Sequence, residues 1–279
     1  MKNSMWTSYY MDLAPEKAVE EIARHGWRYA ELSDEHGAAL LNRGNPEKAG
    51  SAFRKVAESE GIGVEQGHLW LAVPLCDPDK ERIVSTLLRW LDLFWAVGIH
   101  ASVLHCDANS FPEGTSTEEK AEANASVIRR LTEHLEGTGM SICLENLFVK
   151  PGIAPVVDTA DMLLDVIART DGKHLGICLD TGHLNVVGGD QLAFIRKAGD
   201  RLRALHIADN EGSWDMHMMP YGRGTVDFTA VRQGLREIGY DGLYNLEIPG
   251  ERSCPLEIRG WKLEYLLKAL TWQDERDGM

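Results

Sequence analysis

Residues 176–187 read GICLDTGHLNVV. Ile177, Cys178 and Leu179 form a short apolar run of strand-forming residues. Asp180, Thr181, Gly182 and His183 follow at once. A buried run that ends in a carboxylate and an imidazole is unfavourable unless those groups are paired or bound to a metal. Two readings compete. In one, Asp180 ends a buried strand and holds a divalent cation, with His183 close by. In the other, Asp180 caps the following helix and His183 is a polar loop residue. The choice turns on whether the rest of the chain supplies more ligands at matching places.

Outward from this stretch the chain alternates regularly. Apolar strand-like runs are expected at Trp6–Tyr10, Trp27–Leu32, Ile62–Gly67, Ala101–Leu104, Ser141–Leu144, Leu175–Leu179, Leu202–Leu205 and Leu243–Leu246. Helical patterns are expected at residues 15–25, Pro46–Glu60, Asp79–Val97, Thr117–Leu135, Thr159–Arg169, Asp190–Ala198, Phe228–Ile238 and Leu256–Leu270, several closed by a glycine. Strands alternating with helices, and nearly uniform in apolar character, imply a parallel sheet covered by helices. Eight such units in 279 residues predict an α/β fold, a (β/α)₈ barrel of one domain over 1–279. A doubly wound open sheet is the competitor, but no GxGxxG follows the first strand. The irregular stretch from Asn210 to Thr225, rich in Gly, Met and Trp, has the length of a functional loop.

Composition narrows the setting. Hydrophobic residues make up 44% and charged residues 26%, as in a soluble globular protein. There is no apolar run of about 18 residues, so no membrane partner is expected. The beginning, MKNSMWTSYYMDL, lacks the pattern of a signal peptide. Five cysteines in an odd number, three of them in strand-like runs, read as reduced thiols of a cytoplasmic protein. The net charge of −14 argues against broad nucleic-acid binding. A bound cation would offset part of that charge.

The polar residues that end the apolar runs are His68, His105, Glu145, Asp180, His206 and Glu247. Most are about one βα unit apart in the chain. In a barrel all strands run the same way, so these side chains converge on the C-terminal face, where barrel active sites lie. Glu145, Asp180, His206 and Glu247 form a hard, oxygen-rich set that suits Mn²⁺, Mg²⁺, Co²⁺ or Zn²⁺. Singly, each reads better as an unrelated buried polar residue or a helix cap; their succession on strand ends favours a shared metal. His68 and His105 read better as partners of a substrate hydroxyl or of a neighbouring carboxylate. Trp6, Tyr9, Trp70, Trp214 and Tyr221 are aromatics near the mouth, and Trp70 and Trp214 are candidate platforms for the apolar face of a sugar. Ordinary packing under loops is the alternative for all five.

The chain resembles the xylose-isomerase-like TIM-barrel superfamily of sugar isomerases and epimerases, which also holds endonuclease IV. The resemblance rests on LEN at Leu144–Asn146, LDTGH at Leu179–His183, LHIADN at Leu205–Asn210 and LEIPGE at Leu246–Glu251. Similarity to the ketose 3-epimerases implies one divalent metal, Mn²⁺ first among those above and no organic cofactor, on Glu145, Asp180, His206 and Glu247. It implies that Glu145 and Glu247 also act as acid and base on a carbohydrate, one removing a C–H proton and the other returning one, with the metal stabilising the enediolate. His183 would orient a substrate oxygen. Family habit suggests a dimer or tetramer. Those enzymes carry an arginine shortly after the seventh-strand histidine; here Asp209–Trp214 has none, and Arg223 in YGRG is the candidate substitute. Endonuclease IV offers the rival reading, a multi-zinc phosphodiesterase. Its nine ligand types have counterparts in order at His68, His105, Glu145, Asp180, His183, His206, Asp215, His217 and Glu247. In the isomerase reading His68, His105, His183, Asp215 and His217 serve the substrate instead. A metal-dependent lyase or dehydratase of the same superfamily is a third possibility.

Overall fold

Uninterrupted apolar runs become central strands because both faces of a helix-covered parallel sheet are buried. β5 (Ser141–Glu145) and β6 (Leu175–Asp180) are buried at every position. The computed structural model describes residues 1–148, 153 and 155–278. Its other strands are β1 (Lys2–Trp6), β2 (Tyr29–Leu32), β3 (Gly63–His68), β4 (Ala101–Leu104), β7 (Leu202–His206) and β8 (Leu243–Leu246). All neighbours pair in parallel, in the order β7-β6-β5-β4-β3-β2-β1-β8. The ring closes just past the strand ends. There Ile207 N donates to Asn245 O at 2.8 Å and Glu247 N donates to Ile207 O at 3.1 Å. The expected (β/α)₈ barrel is therefore present.

The helices among the described residues are α1 (Pro15–Arg24), α2 (Asp34–Leu41), α3 (Pro46–Ser59), α4 (Lys80–Val97), α5 (Thr117–His134), α6 (Ala160–Ala168), α7 (Thr181–Val186), α8 (Gln191–Ala198), α9 (Phe228–Glu237) and α10 (Leu256–Asp277). Most begin on a side chain that accepts a backbone N–H, as Ser33, Asn45, Asp79, Thr159, Asp190 and Asp227 do. Ser116 and Glu119 form a reciprocal capping box at α5. None of these helices is long and apolar enough to cross a membrane.

Three expectations need correction. Trp6–Tyr10 is not a strand; β1 precedes it and Thr7–Tyr10 is a 3₁₀ turn. Its aromatics suggest a strand, but Tyr9 and Tyr10 are fully buried against the C-terminal helix, where the Tyr9 hydroxyl donates to Arg259 O at 3.0 Å. Tertiary packing overrides propensity there. The expected eight helices are joined by α2 and α7, both short, glycine-containing and placed directly after a strand. α10 also runs to Asp277, beyond the expected Leu270.

The core lies mostly between sheet and helices. A small second layer, Val103, Cys143, Cys178 and Ala204, fills the barrel interior beneath the mouth. Small side chains there leave the upper interior to polar groups. The five cysteines are free thiols, as expected.

α3 and α4 pack closely at Gly50, where an added Cβ would stand 2.7 Å from Leu93 O and 2.8 Å from Ala96 Cβ. Alanine ordinarily stabilises a helix interior by about 0.5–1 kcal/mol over glycine. At this site Gly50→Ala should destabilise instead, by about 1–3 kcal/mol, because backbone atoms of α4 must move. Urea unfolding of the two proteins checks the sign.

Candidate metal centre and active site

Four successive strand ends each deliver one donor to the mouth. Glu145 closes β5, Asp180 closes β6, His206 closes β7 and Glu247 follows β8. One ligand atom from each lies within 4.8 Å of the others. All four are nearly inaccessible, at 1%, 0%, 0% and 4% exposure. Charges buried to that degree need partners, yet Asp180 Oδ2, His206 Nδ1 and Glu247 Oε2 have no hydrogen bond. His206 Nδ1 stands 3.2 Å from both Glu145 Oε2 and Glu247 Oε2 without hydrogen-bond geometry to either.

Asp180 caps the following helix, as one of the two readings expected, and keeps a second oxygen open for the other. Its Oδ1 accepts from His183 N at 2.6 Å and caps α7, while its Oδ2 is left open. Asn146 locks the ends of β5 and β6 together: its side chain accepts from Asp180 N at 2.8 Å and donates to Asp180 O at 3.0 Å.

The electrostatics are uneven. Burial raises the Glu247 carboxyl to about 8, against the pull of His206 and His217, and the charges of Glu145 and Asp180 add to the rise. Burial also opposes ionisation of Glu145, but His206, His105 and His183 outweigh it and hold that carboxyl well below its usual range. His206, although buried, is shifted well upward by the thiol of Cys178 and by Glu247, Glu31 and Glu145. Three carboxylates and one imidazole in a dry pocket, with open lone pairs, are the chemistry of a hard-cation site. Glu145, Asp180, His206 and Glu247 can hold a divalent metal ion.

The second face of His206 is also fixed. Its Nε2 lies 3.1 Å from Glu31 Oε1, and Glu31 is fully buried in β2. Glu31 also accepts from Asn245 Nδ2, and Asn245 Oδ1 accepts from Ser4 Oγ at 2.9 Å. A neutral His206 that keeps its proton on Nε2 for Glu31 would present a lone pair at Nδ1 to a cation, which must first displace the Nδ1 proton. Glu31 and Asn245 were missed in the sequence. The only signal was an acid inside the apolar run YAEL.

The remaining expected residues surround this centre. His105 Nε2 lies 3.0 Å from Glu145 Oε2, and His68 Nε2 lies 3.4 Å from it. His68, His183 and His217 each set Nδ1 on a backbone carbonyl, of Leu69 at 2.6 Å, Asn146 at 3.0 Å and Glu247 at 2.8 Å. Their Nε2 atoms are thereby free for other partners. For His183 and His217 that partner is Asp215 Oδ2, at 3.3 Å and 2.9 Å. His217 adopts φ 43°, a left-handed conformation uncommon outside glycine. Two further groups have ligand atoms within 4.8 Å: His68, Glu145 and His206, and Asp180, His183 and His217.

Trp214 is 57% exposed and sets an edge against Phe148, ring centroids 5.6 Å apart. Phe148 in turn lies 5.3 Å from the His183 ring. Phe148, which the sequence reading passed over, thus links Trp214 to the site. Trp70 is half-buried against the core. Tyr9 and Tyr221 pack away from the donors, Tyr221 on Phe228 with its hydroxyl 3.3 Å from that of Tyr244. Arg223 is exposed, paired with Glu211 Oε1 at 3.3 Å, and shares no hydrogen bond with the strand-end donors.

Comparison with known proteins agrees with this architecture. An uncharacterised protein of Methanocaldococcus jannaschii is 34% identical over 132 residues, 46% of this chain and 44% of that protein. The chain spans about half the length of the first curated relatives it matches, 44% and 56%. A D-psicose 3-epimerase of Enterocloster bolteae is 25% identical over 257 residues, 88% of this chain and 81% of that enzyme. Among solved structures, a D-tagatose 3-epimerase-like protein superposes with a TM-score of 0.80 at 21% identity, covering 100% of both chains, a likeness of fold. The family described as xylose isomerase-like TIM barrel matches residues 19–274, and the chain belongs to that family.

Proposed function

We propose that this protein is a divalent-metal-dependent epimerase or isomerase of a sugar or sugar derivative. The observation that carries the reading is the set of three buried atoms without hydrogen bonds, Asp180 Oδ2, His206 Nδ1 and Glu247 Oε2, gathered beside Glu145. The D-psicose 3-epimerase, one of several 3-epimerases among its relatives, supports the substrate class. A bound divalent cation, Mn²⁺ by preference for this donor set, supplies electrostatic stabilisation of the charge that develops on the substrate oxygens.

The chain's own residues do the rest. Glu145 and Glu247 come from β5 and from the end of β8, and both adjoin His206. One takes the proton from a carbon next to the carbonyl; the other returns a proton from the opposite side, which inverts that carbon. Return to the neighbouring carbon gives aldose–ketose isomerisation instead. His183, braced by Asn146 and Asp215, orients a substrate oxygen. His68, His105, Asp215 and His217 hold the substrate hydroxyls or the carboxylates that meet them. Trp214 and Trp70 offer apolar faces to the sugar ring. Arg223 would join them only by leaving Glu211.

A second reading has an observation of its own. His68, His183 and His217 all have Nδ1 on a backbone carbonyl, the arrangement that orients Nε2 toward metals. More than one cation, and phosphodiester cleavage like that of endonuclease IV, would use it. The net charge of −14 weighs against a DNA partner.

Three outcomes are expected. Glu145→Gln and Glu247→Gln should each slow deuterium exchange from solvent into a responsive ketose by about 10²–10⁴-fold while leaving the circular dichroism unchanged; exchange at the wild-type rate in both would end the acid–base assignment. Glu31→Gln should weaken Mn²⁺ binding by about 10–100-fold, read by calorimetry on folded protein. Metal analysis should find one ion per chain, and Mn²⁺ at 100 times its Kd should stabilise the chelated protein by about 2.7 kcal/mol. Three ions per chain together with cleavage of abasic DNA would transfer the assignment to the second reading.

A further inference from the structure

A cavity of about 290 Å³ lies in the helix layer, between α9, the end of α10 and the loop that joins β7 to α9. Its walls include Tyr221, Val226, Thr229, Arg232, Arg236 and Arg276. Glu145, Asp180, His206 and Glu247 do not line it. Three arginines thus converge on one small cavity in a chain whose net charge is −14.

These arginines carry more donors than the acids around them use. Arg232 is 2% exposed. Its Nε donates to Asp277 Oδ2 at 2.5 Å and its Nη2 to Asp274 Oδ1 at 2.7 Å, but its Nη1 has no hydrogen bond. A buried cationic donor without an acceptor is unfavourable. Arg236 and Arg276 stand 3.5 Å and 3.7 Å from the same Asp277 carboxylate, and among the described residues neither donates a hydrogen bond. The other acids on the wall are committed to the backbone. Asp227 accepts from Ala230 N at 2.9 Å and caps α9. Asp209 Oδ1 accepts from Asn210 N at 2.9 Å and from Val226 N at 3.1 Å.

We propose that this cavity binds a phosphate group carried on a small organic body. Guanidinium forks match the oxygens of a phosphate, and a dianion takes up donors that one shared carboxylate leaves idle. Tyr221, Val226 and Phe228 offer the organic part an apolar wall. The volume is at the lower end of small-molecule sites. This site does not depend on the sugar chemistry at the strand ends, but one loop serves both places. Asp215 and His217, in its first half, border the strand-end donors through His183 and Glu247. Tyr221, Gly222, Gly224 and Val226, in its second half, line the cavity. Between the halves, Asp209 N donates to Met218 O at 3.0 Å and Met218 N to Asp209 O at 2.8 Å. A phosphate on Arg232, Arg236 and Arg276 therefore holds the loop from behind.

The probe is phenyl phosphate, titrated by calorimetry at constant ionic strength into the full chain with Mn²⁺ present. It should bind at one site per chain with Kd of about 1 mM or tighter. Arg236→Gln combined with Arg276→Gln, at two partly exposed positions, should weaken binding at least about tenfold while the circular dichroism and the Mn²⁺ affinity stay unchanged. In amide hydrogen exchange the ligand should slow residues 222–229 in wild type and leave them unaffected in the double variant. Inorganic phosphate should bind more weakly than phenyl phosphate, since it leaves the apolar wall bare. No binding, binding undiminished in the double variant (as a phosphate on the strand-end metal would give), unchanged exchange at residues 222–229, or inorganic phosphate binding as tightly as phenyl phosphate would each overturn the proposal.

Discussion

Three carboxylates, Glu145, Asp180 and Glu247, share one dry pocket with the His206 imidazole, and the upper half of the barrel is arranged around their mutual repulsion. Side chains on loops could relax such repulsion by moving apart. These cannot, because each is fixed at or just beyond the end of a hydrogen-bonded parallel strand. The remaining ways to relieve it are protonation, proton sharing with the surrounding histidines, or a cation. The uneven acidities record that competition: Glu145 is held ionised by three imidazoles, while Glu247 is pushed to about 8 by burial and by its acidic neighbours. A cation in this pocket must displace any proton on Glu247, so metal binding and proton release are linked.

A buried polar cluster holds its shape only if its members are satisfied from behind. Ser4, Asn245 and Glu31 form such a backing across β1, β8 and β2, and it ends on His206 Nε2. Asn146 does the same between β5 and β6. The strands that supply no first donor therefore still fix the donors' orientation. This division explains why the interior is apolar and small below, at Val103, Cys143, Cys178 and Ala204, and polar above. The lower layer closes the barrel; the upper layer aims the site.

Strand ends were legible in the sequence because both faces of a central parallel strand are buried, so the first charged residue after an apolar run marks the mouth. Glu145, Asp180, His206 and Glu247 were found by that rule, and Glu31 was invisible to it. Glu31 lies within β2, one residue before the last apolar position, and its partners are distant in the chain. No local pattern separates such a carboxylate from a solvated one. Phe148 and α7 were missed for a related reason: a ring contact with His183 and a six-residue helix exist only once neighbouring strands are in register. The 3₁₀ turn at Thr7–Tyr10 was misread because burial against α10, rather than β-propensity, decides where its tyrosines go.

Capping a helix does not prevent Asp180 from offering an oxygen to a cation, and the reason is geometric. An N-cap residue keeps extended backbone angles while its side chain turns to the first free N–H groups of the helix. Asp180, at φ −89° and ψ 116°, is both the last residue of β6 and the cap of α7, with no loop between them. One carboxylate oxygen is drawn to His183 N. The other is then left over the barrel mouth in a fixed orientation. A serine or asparagine in that position would cap the helix as well, but neither would leave an anionic oxygen at the centre of the site. The same bond sets the main chain of His183, whose ring closes the pocket against Glu145 and Asp215. Helix capping at this strand end is therefore part of how the donors are positioned, and a change of cap chemistry at Asp180 would act on the site before it acted on the fold.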